Sequence, residues 1–149
     1  MSQAKTLTTA ELEQVLNYIS SRKFALRNRV LLLTGYWSGM RVGEIASLTI
    51  SDVVNSDGTI KAEIRLTAEQ TKGRHPRTVF LPEKLRAELA NYAEFRQPLE
   101  FDQPFFITAS GKGFTPNVLT QHFFWLFRDA GIAGASSHTM RRSFITNLA

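Results

Sequence analysis

The apolar residues of this chain change period along its length, and that change constrains the fold more than any other feature. Ahead of residue 57 they recur with helical spacing: Leu12, Val15, Leu16 and Ile19 form one stripe, and Val30 to Leu33 lie in a second helical run. An Asp57-Gly58 turn then leads into alternation at Ile60, Ala62, Ile64 and Leu66, and RTVFL reads as the returning strand. After Pro82 the helical spacing resumes in EKLRAELANYAEF. Such a pattern predicts an α+β fold, a mostly helical domain with one small antiparallel β-sheet of two or three strands.

Local signals place the boundaries. Thr8 and Glu11 have capping-box spacing, with Leu7 and Leu12 at staple positions around it. A second helix is predicted from Phe24 to Ser38, its arginines on one side and its VLLL segment buried; Gly39 breaks it and RVGEIASL forms a short third helix. TKGRHP is a basic loop that sets Lys72 at the hairpin, and Pro82 is expected at a first helical position. FDQPFFITASGKG is an irregular connection. Thr115 and Pro116 open a helix through NVLTQHFFWLFRDA that Gly131 ends, and Ser136 or Ser137 is expected to cap the terminal helix. With no repeat or low-complexity linker, residues 1–149 read as a single domain.

A chain of 149 residues buries a core without covalent staples. The absence of cysteine excludes disulfides and thiolate metal sites and fits a reducing cytoplasm. The longest apolar stretch, VLLLTGYWSGM, falls short of the roughly 18 residues that suggest a membrane span, and the polar start carries no signal-peptide apolar block. Net charge is +5, and 12 of the 18 basic residues are arginine, whose planar fork suits bidentate phosphate contact. An acidic partner follows, with nucleic acid the foremost class.

Several residues carry candidate chemistry. His138 and Arg141, three apart on the terminal helix, share a face, and an imidazole beside a guanidinium at a helix N-terminus can grip a phosphate. The spacing alone is weak, since a helix-capping histidine beside a solvated arginine has the same pattern. Arg41 follows a helix break next to an apolar run, and buried surroundings are costly for an unpaired arginine, so it needs an anion. Glu44 is either simply that anion, or a brace that leaves the other Arg41 donors for a substrate phosphate. Lys72 is either a solvated hairpin residue or a lysine swung onto a nucleic-acid backbone to donate a proton to a leaving oxygen. His75, followed by Pro76, reads as a turn residue. No two-metal carboxylate pair, zinc motif or nucleotide-binding G-x-x-x-x-G-K-[ST] is present, so neither metal nor cofactor is expected. A phosphoryl-transfer centre would have to stabilise charge with Arg, His and Lys.

In order, LLLTGYWSGMRVGEIASLTISDV, QTKGRHPRTVFLP and SSHTMRRSFITNLA resemble the arginine, β-hairpin lysine and H-x-x-R segments of the tyrosine recombinases, the phage integrase family. LTTAELEQVL resembles the way these catalytic domains begin. The resemblance covers essentially the whole chain and implies catalytic roles for Arg41, Lys72, His138 and Arg141, with Glu44 in support. By that resemblance two arginines clamp a scissile DNA phosphate, the histidine assists proton movement and the lysine protonates the departing 5′ oxygen. A tyrosine attacks phosphorus and holds the 3′ end until a second strand rejoins.

The family's nucleophilic tyrosine lies downstream of H-x-x-R, whereas Tyr18, Tyr36 and Tyr92 all precede it. Tyr36, beside Trp37, reads as core. The resemblance therefore implies that the chain is C-terminally truncated, its last helix running on uncapped with Phe144, Ile145 and Leu148 exposed. Double-stranded DNA and other recombinase subunits are the expected partners, and a cytoplasmic, nucleoid-associated location the expected place. Alone, the chain is expected to bind DNA without cleaving it. The alternatives are a non-catalytic DNA-binding or regulatory remnant and, from another class, a module that binds acidic proteins.

Overall fold

The computed structural model describes residues 5–148. Its elements are α1 (Thr9–Ser20), α2 (Ala25–Ser38), α3 (Val42–Ala46), α4 (Ile50–Val53), β1 (Glu63–Leu66), a 3-10 turn (Ala68–Gln70), β2 (Arg77–Phe80), α5 (Glu83–Phe95), α6 (Pro116–Asp129) and α7 (Thr139–Asn147). The α+β expectation holds, with two strands in the sheet. Among the described residues no helix is long and apolar enough to cross a membrane.

Helix α2 lies at the centre because it is apolar almost all round. Val30 to Leu33 are fully buried, and α1, α5 and α7 pack around them. The α1 capping box forms in both directions: the Glu11 amide donates to Thr8 Oγ1 at 3.1 Å and the Thr8 amide to Glu11 Oε1 at 3.0 Å. Strands β1 and β2 are antiparallel, pairing Ile64 with Val79 and Leu66 with Arg77. Ile64, Leu66 and Val79 face the core, as strand alternation requires.

Helices α2 and α7 meet through a pair of small residues one turn apart. A β-carbon on Gly35 would lie 2.8 Å from Met140 Sδ, and one on Gly39 2.3 Å from Phe144 Cδ2. Met140 and Phe144, also one turn apart, lie over these two glycines. Gly39 is doubly required, since its φ of +72° ends α2 in the left-handed region.

Several expected boundaries shift. Phe24 does not begin α2 but precedes it in the left-handed region at φ +60°. Pro82 is the cap of α5, not its first residue, because its backbone is still extended from β2 (ψ 154°). The cap of α7 is His138; Ser136 Oγ accepts from the His138 amide at 3.3 Å instead of capping the first turn. The chain already turns helically there, with the Thr139 amide donating to Ser136 O at 3.0 Å. Ile60 and Ala62 lie outside β1, and Ala62 is exposed, because Ile60 pairs in an isolated bridge with Val54. Helix α4 was not anticipated. Tyr36 is buried as expected. Ile145 and Leu148 are exposed, but Phe144 is half-buried by its seat on Gly39. The expected run of the last helix through residue 149 lies outside the described residues.

Candidate functional site

Four separate stretches of chain meet at the C-terminal end of α2. The left-handed turn at Gly39 swings the chain out of α2 and sets Arg41 at the start of α3, with Glu44 one turn further on. The hairpin supplies Lys72, α7 supplies Arg141, and the turn before it His138. All of these line one open cleft of about 670 Å³, together with Thr71, Ser137 and the N-terminal Pro116 of α6.

Glu44 organises the cations. Its carboxylate is 1% exposed, so it needs donors on every side. The Arg41 amide donates to Oε1 at 2.9 Å, and Arg77 donates from Nη2 to Oε1 at 2.6 Å and from Nε to Oε2 at 3.1 Å. Arg41 Nη1 stands at 3.6 Å from Oε2. Burial pushes the Glu44 carboxyl up, but the Arg77 hydrogen bonds, the Arg41 amide and the charges of both arginines outweigh it and hold the group below the usual carboxylate range. Glu44 therefore stays ionised and shares its charge among several cations.

Arg41 was expected in buried surroundings; its side chain is instead 44% exposed and Glu44 is the buried partner. Its strongest competitor for Glu44 is Arg77, so most of the Arg41 donors remain open to the cleft. Arg141 donates from Nη1 to the Gly39 carbonyl at 2.5 Å. Burial, then the positive charges of Arg41 and Arg77, pull the Arg141 guanidinium below its ordinary value, with Glu44 opposing. Three arginines thus crowd around one carboxylate, and the cleft carries an excess of positive charge that an anion would relieve.

The hairpin loop is anchored just ahead of Lys72. Gln70 Nε2 donates to Ser47 Oγ at 3.2 Å and Asp52 Oδ2 at 3.1 Å, and Thr71 Oγ1 donates to the His75 carbonyl at 2.8 Å. Lys72 itself is exposed and has no hydrogen bond or ion pair among the described residues. His75 is an exposed turn residue outside the cleft, as expected. His138 is exposed at the cleft wall. None of the three tyrosines lines the cleft: Tyr92 is fully buried, its hydroxyl accepting from the Ile107 amide at 3.3 Å, and Tyr36 OH accepts from Asn147 Nδ2 at 3.3 Å.

Arg77 is the site residue that sequence reasoning missed. A signal existed: β2 alternation sets Arg77 on the same face as buried Val79, and an arginine on a core-facing position requires a carboxylate.

The helical frame with its basic hairpin is that of a tyrosine recombinase catalytic domain. The crystal structure of XerA recombinase has the same fold, with a TM-score of 0.78 at 23% identity, covering 99% of this chain and 52% of that one. The XerH site-specific recombinase bound to palindromic difH substrate matches with a TM-score of 0.70 at 26% identity, over 99% of this chain and 42% of that one. Tyrosine recombinase XerA of Pyrococcus furiosus is 29% identical over 148 residues, 97% of this chain and 48% of that protein. Residues 5–149 match the phage integrase family, and this chain belongs to it. It spans about half the length of the curated relatives it matches.

Proposed function

We propose that residues 1–149 act as one integrase-type catalytic domain that activates a DNA phosphate during site-specific recombination. The reading rests on a single observation, that Arg41, Lys72, His138 and Arg141 line one cleft around ionised Glu44. In this proposal the open donors of Arg41 and those of Arg141 bind the two non-bridging oxygens of the scissile phosphate, and stabilise the charge that grows there in the five-coordinate transition state. His138 moves a proton at the phosphate. Lys72 gives its proton to the 5′ oxygen as the phosphorus–oxygen bond breaks. The attacking hydroxyl belongs to a tyrosine outside this chain, contributed by a longer polypeptide or a neighbouring recombinase subunit; that none of Tyr18, Tyr36 and Tyr92 lines the cleft supports this. That XerH, a site-specific recombinase, is bound to its palindromic difH substrate in a post-cleavage complex supports a recombination-site substrate here.

The test uses a nicked DNA duplex that traps covalent protein–DNA adducts. The chain alone should bind the duplex with an affinity that falls steeply with salt and give no adduct. A tyrosine-bearing partner subunit mutated at its own arginines, inactive by itself, should restore cleavage. Arg41→Ala or Arg141→Ala in this chain should abolish it again, while weakening binding only modestly. Lys72→Ala should leave stability within about 0.5 kcal/mol, being exposed and unbonded, yet slow cleavage. An adduct on any of the three tyrosines, or no cleavage with the arginine-mutated, tyrosine-bearing partner, overturns the proposal; the second result favours a non-catalytic DNA-binding remnant.

A further inference from the structure

A second arginine site lies at the opposite end of α2, and nothing in the recombination reading uses it. Arg27, in the first turn of α2, is 9% exposed. No Asp or Glu forms an ion pair with it among the described residues. Its Nε donates to Asn28 Oδ1 at 3.1 Å and its Nη1 to the Ile107 carbonyl at 3.2 Å, while Nη2 has no partner among the described residues. Since every fully buried side-chain nitrogen among the described residues is bonded, Nη2 reaches open space. Arg27 lines a cavity of about 400 Å³, walled by Phe24, Leu26, Tyr92, Phe95 and Ile107.

Two further observations point the same way. The first turn of α2 has no side-chain cap, so its free amides add positive potential at the cavity. Phe24, just before it, holds a left-handed backbone (φ +60°, ψ 33°) that costs a non-glycine residue roughly 1 kcal/mol. Burial of its ring does not repay this, because Phe24 is 46% exposed. What the strained backbone achieves is to lay the ring 4.4 Å over the Arg27 guanidinium, forming one wall of the cavity. On another side Phe114 stands at 5.3 Å. A desolvated cation held by ring faces, with its Nη2 group unbonded in the lining of an apolar cavity, is short of a singly charged anion.

We propose that this cavity binds a small organic carboxylate with an apolar body. The carboxylate takes the unbonded Nη2 group of Arg27 and the free amides of the α2 first turn, and the body lies among Phe24, Tyr92, Phe95 and Ile107. The volume falls in the lower part of the range of ligand pockets, about 300–1,000 Å³, and admits a single aromatic ring with a short chain. A phosphate dianion fits poorly, since one guanidinium edge in apolar surroundings leaves most of its charge uncompensated. The site lies at the far end of α2 from the cleft, about 20 Å away at 1.5 Å per residue, so a ligand there leaves the phosphate-binding residues open.

Titration of 4-phenylbutyrate into the 149-residue chain, followed by amide chemical shifts, tests this. The acid should move the resonances of Phe24 to Arg27 and Ile107 to Gly111, and 4-phenylbutyramide should bind at least about tenfold more weakly. Inorganic phosphate should not compete. Arg27→Met should weaken the acid about tenfold or more. Phe24→Gly suits the left-handed backbone and removes only the ring, so it should fold normally and also weaken the acid. If Arg27→Met does not fold, the acid–amide pair and Phe24→Gly decide. Equal binding of acid and amide, displacement by phosphate, shifts centred elsewhere, no shifts at all, or unchanged affinity in Phe24→Gly each overturn the proposal.

Discussion

The two ends of α2 handle arginine in opposite ways. At the C-terminal end three arginines gather near one buried carboxylate: Glu44 pairs with Arg41 and Arg77, and the Gly39 carbonyl holds Arg141. At the N-terminal end a single arginine is more deeply buried and has no carboxylate; ring faces, an amide oxygen and a main-chain carbonyl hold it. The comparison teaches that surplus charge, not the mere presence of arginine, marks a site. At one end the surplus comes from number, at the other from isolation. The first arrangement spreads cations across a cleft suited to a polyanion, and the second sets one cation in the lining of a smaller, mostly apolar cavity.

The comparison breaks first at the joint between α2 and α7. Gly39→Ala forces a β-carbon into the left-handed region and against the Phe144 ring. Strain and overpacking together should cost about 3 kcal/mol in denaturant melts. Because the same residue's carbonyl receives Arg141, the cleft should lose anion affinity while the Arg27 cavity keeps its own. A melt unchanged from the parent chain contradicts the close contact.

Removing the charge that gathers the cleft arginines comes next. Glu44→Gln leaves Arg77 and Arg41 without their counter-charge and should cost about 2–3 kcal/mol at neutral pH. The Glu44 pKa is depressed in the folded chain, so its contribution is complete above the ordinary carboxylate value of 4.5 and is lost as pH falls through the lower folded value. The gap between parent and variant should therefore close on acidification below 4.5. A gap that stays constant down to strongly acidic pH contradicts the role given to the carboxylate.

The smallest expected effect sharpens the apolar end. His122 Nε2 donates to Asn28 Oδ1 at 3.0 Å, beside the Phe114 and Phe123 rings. Burial, with the Arg27 charge in support, lowers its pKa from 6.5 to about 4. A depressed folded value means that neutral His122 stabilises the chain above pH 6.5, and this is lost as pH falls toward 4. The loss should be on the order of 2 kcal/mol and absent from His122→Gln, measured as the slope of stability against pH. An NMR titration of His122 near its ordinary value overturns this account of the apolar end.

Much of the frame was readable from local patterns. The α1 capping box, the Gly39 and Gly131 stops and the β1–β2 hairpin each depend on residues close in sequence, so spacing alone reports them. Boundaries failed where a neighbouring element set the backbone. Pro82 remains extended because β2 runs into it, and Ser136 bonds the His138 amide because the turn ahead of α7 already curls. The cleft residues were named from motifs, but the misjudged exposure of Arg41 shows the limit of that reading: an apolar flank says nothing of which side chain of a pair ends inside.

The sequence by itself determined the order of helical and alternating segments, the positive charge and the motif residues Arg41, Lys72, His138 and Arg141. Each is a matter of composition or of neighbours a few positions apart. Only the tertiary structure decided that Arg77 would reach Glu44 across 33 residues, that Arg141 would meet Gly39 across 102, and that Arg27 would be buried without a carboxylate. Those outcomes depend on the desolvation of charge between segments remote in the chain, and burial is a property of packing that no single segment carries.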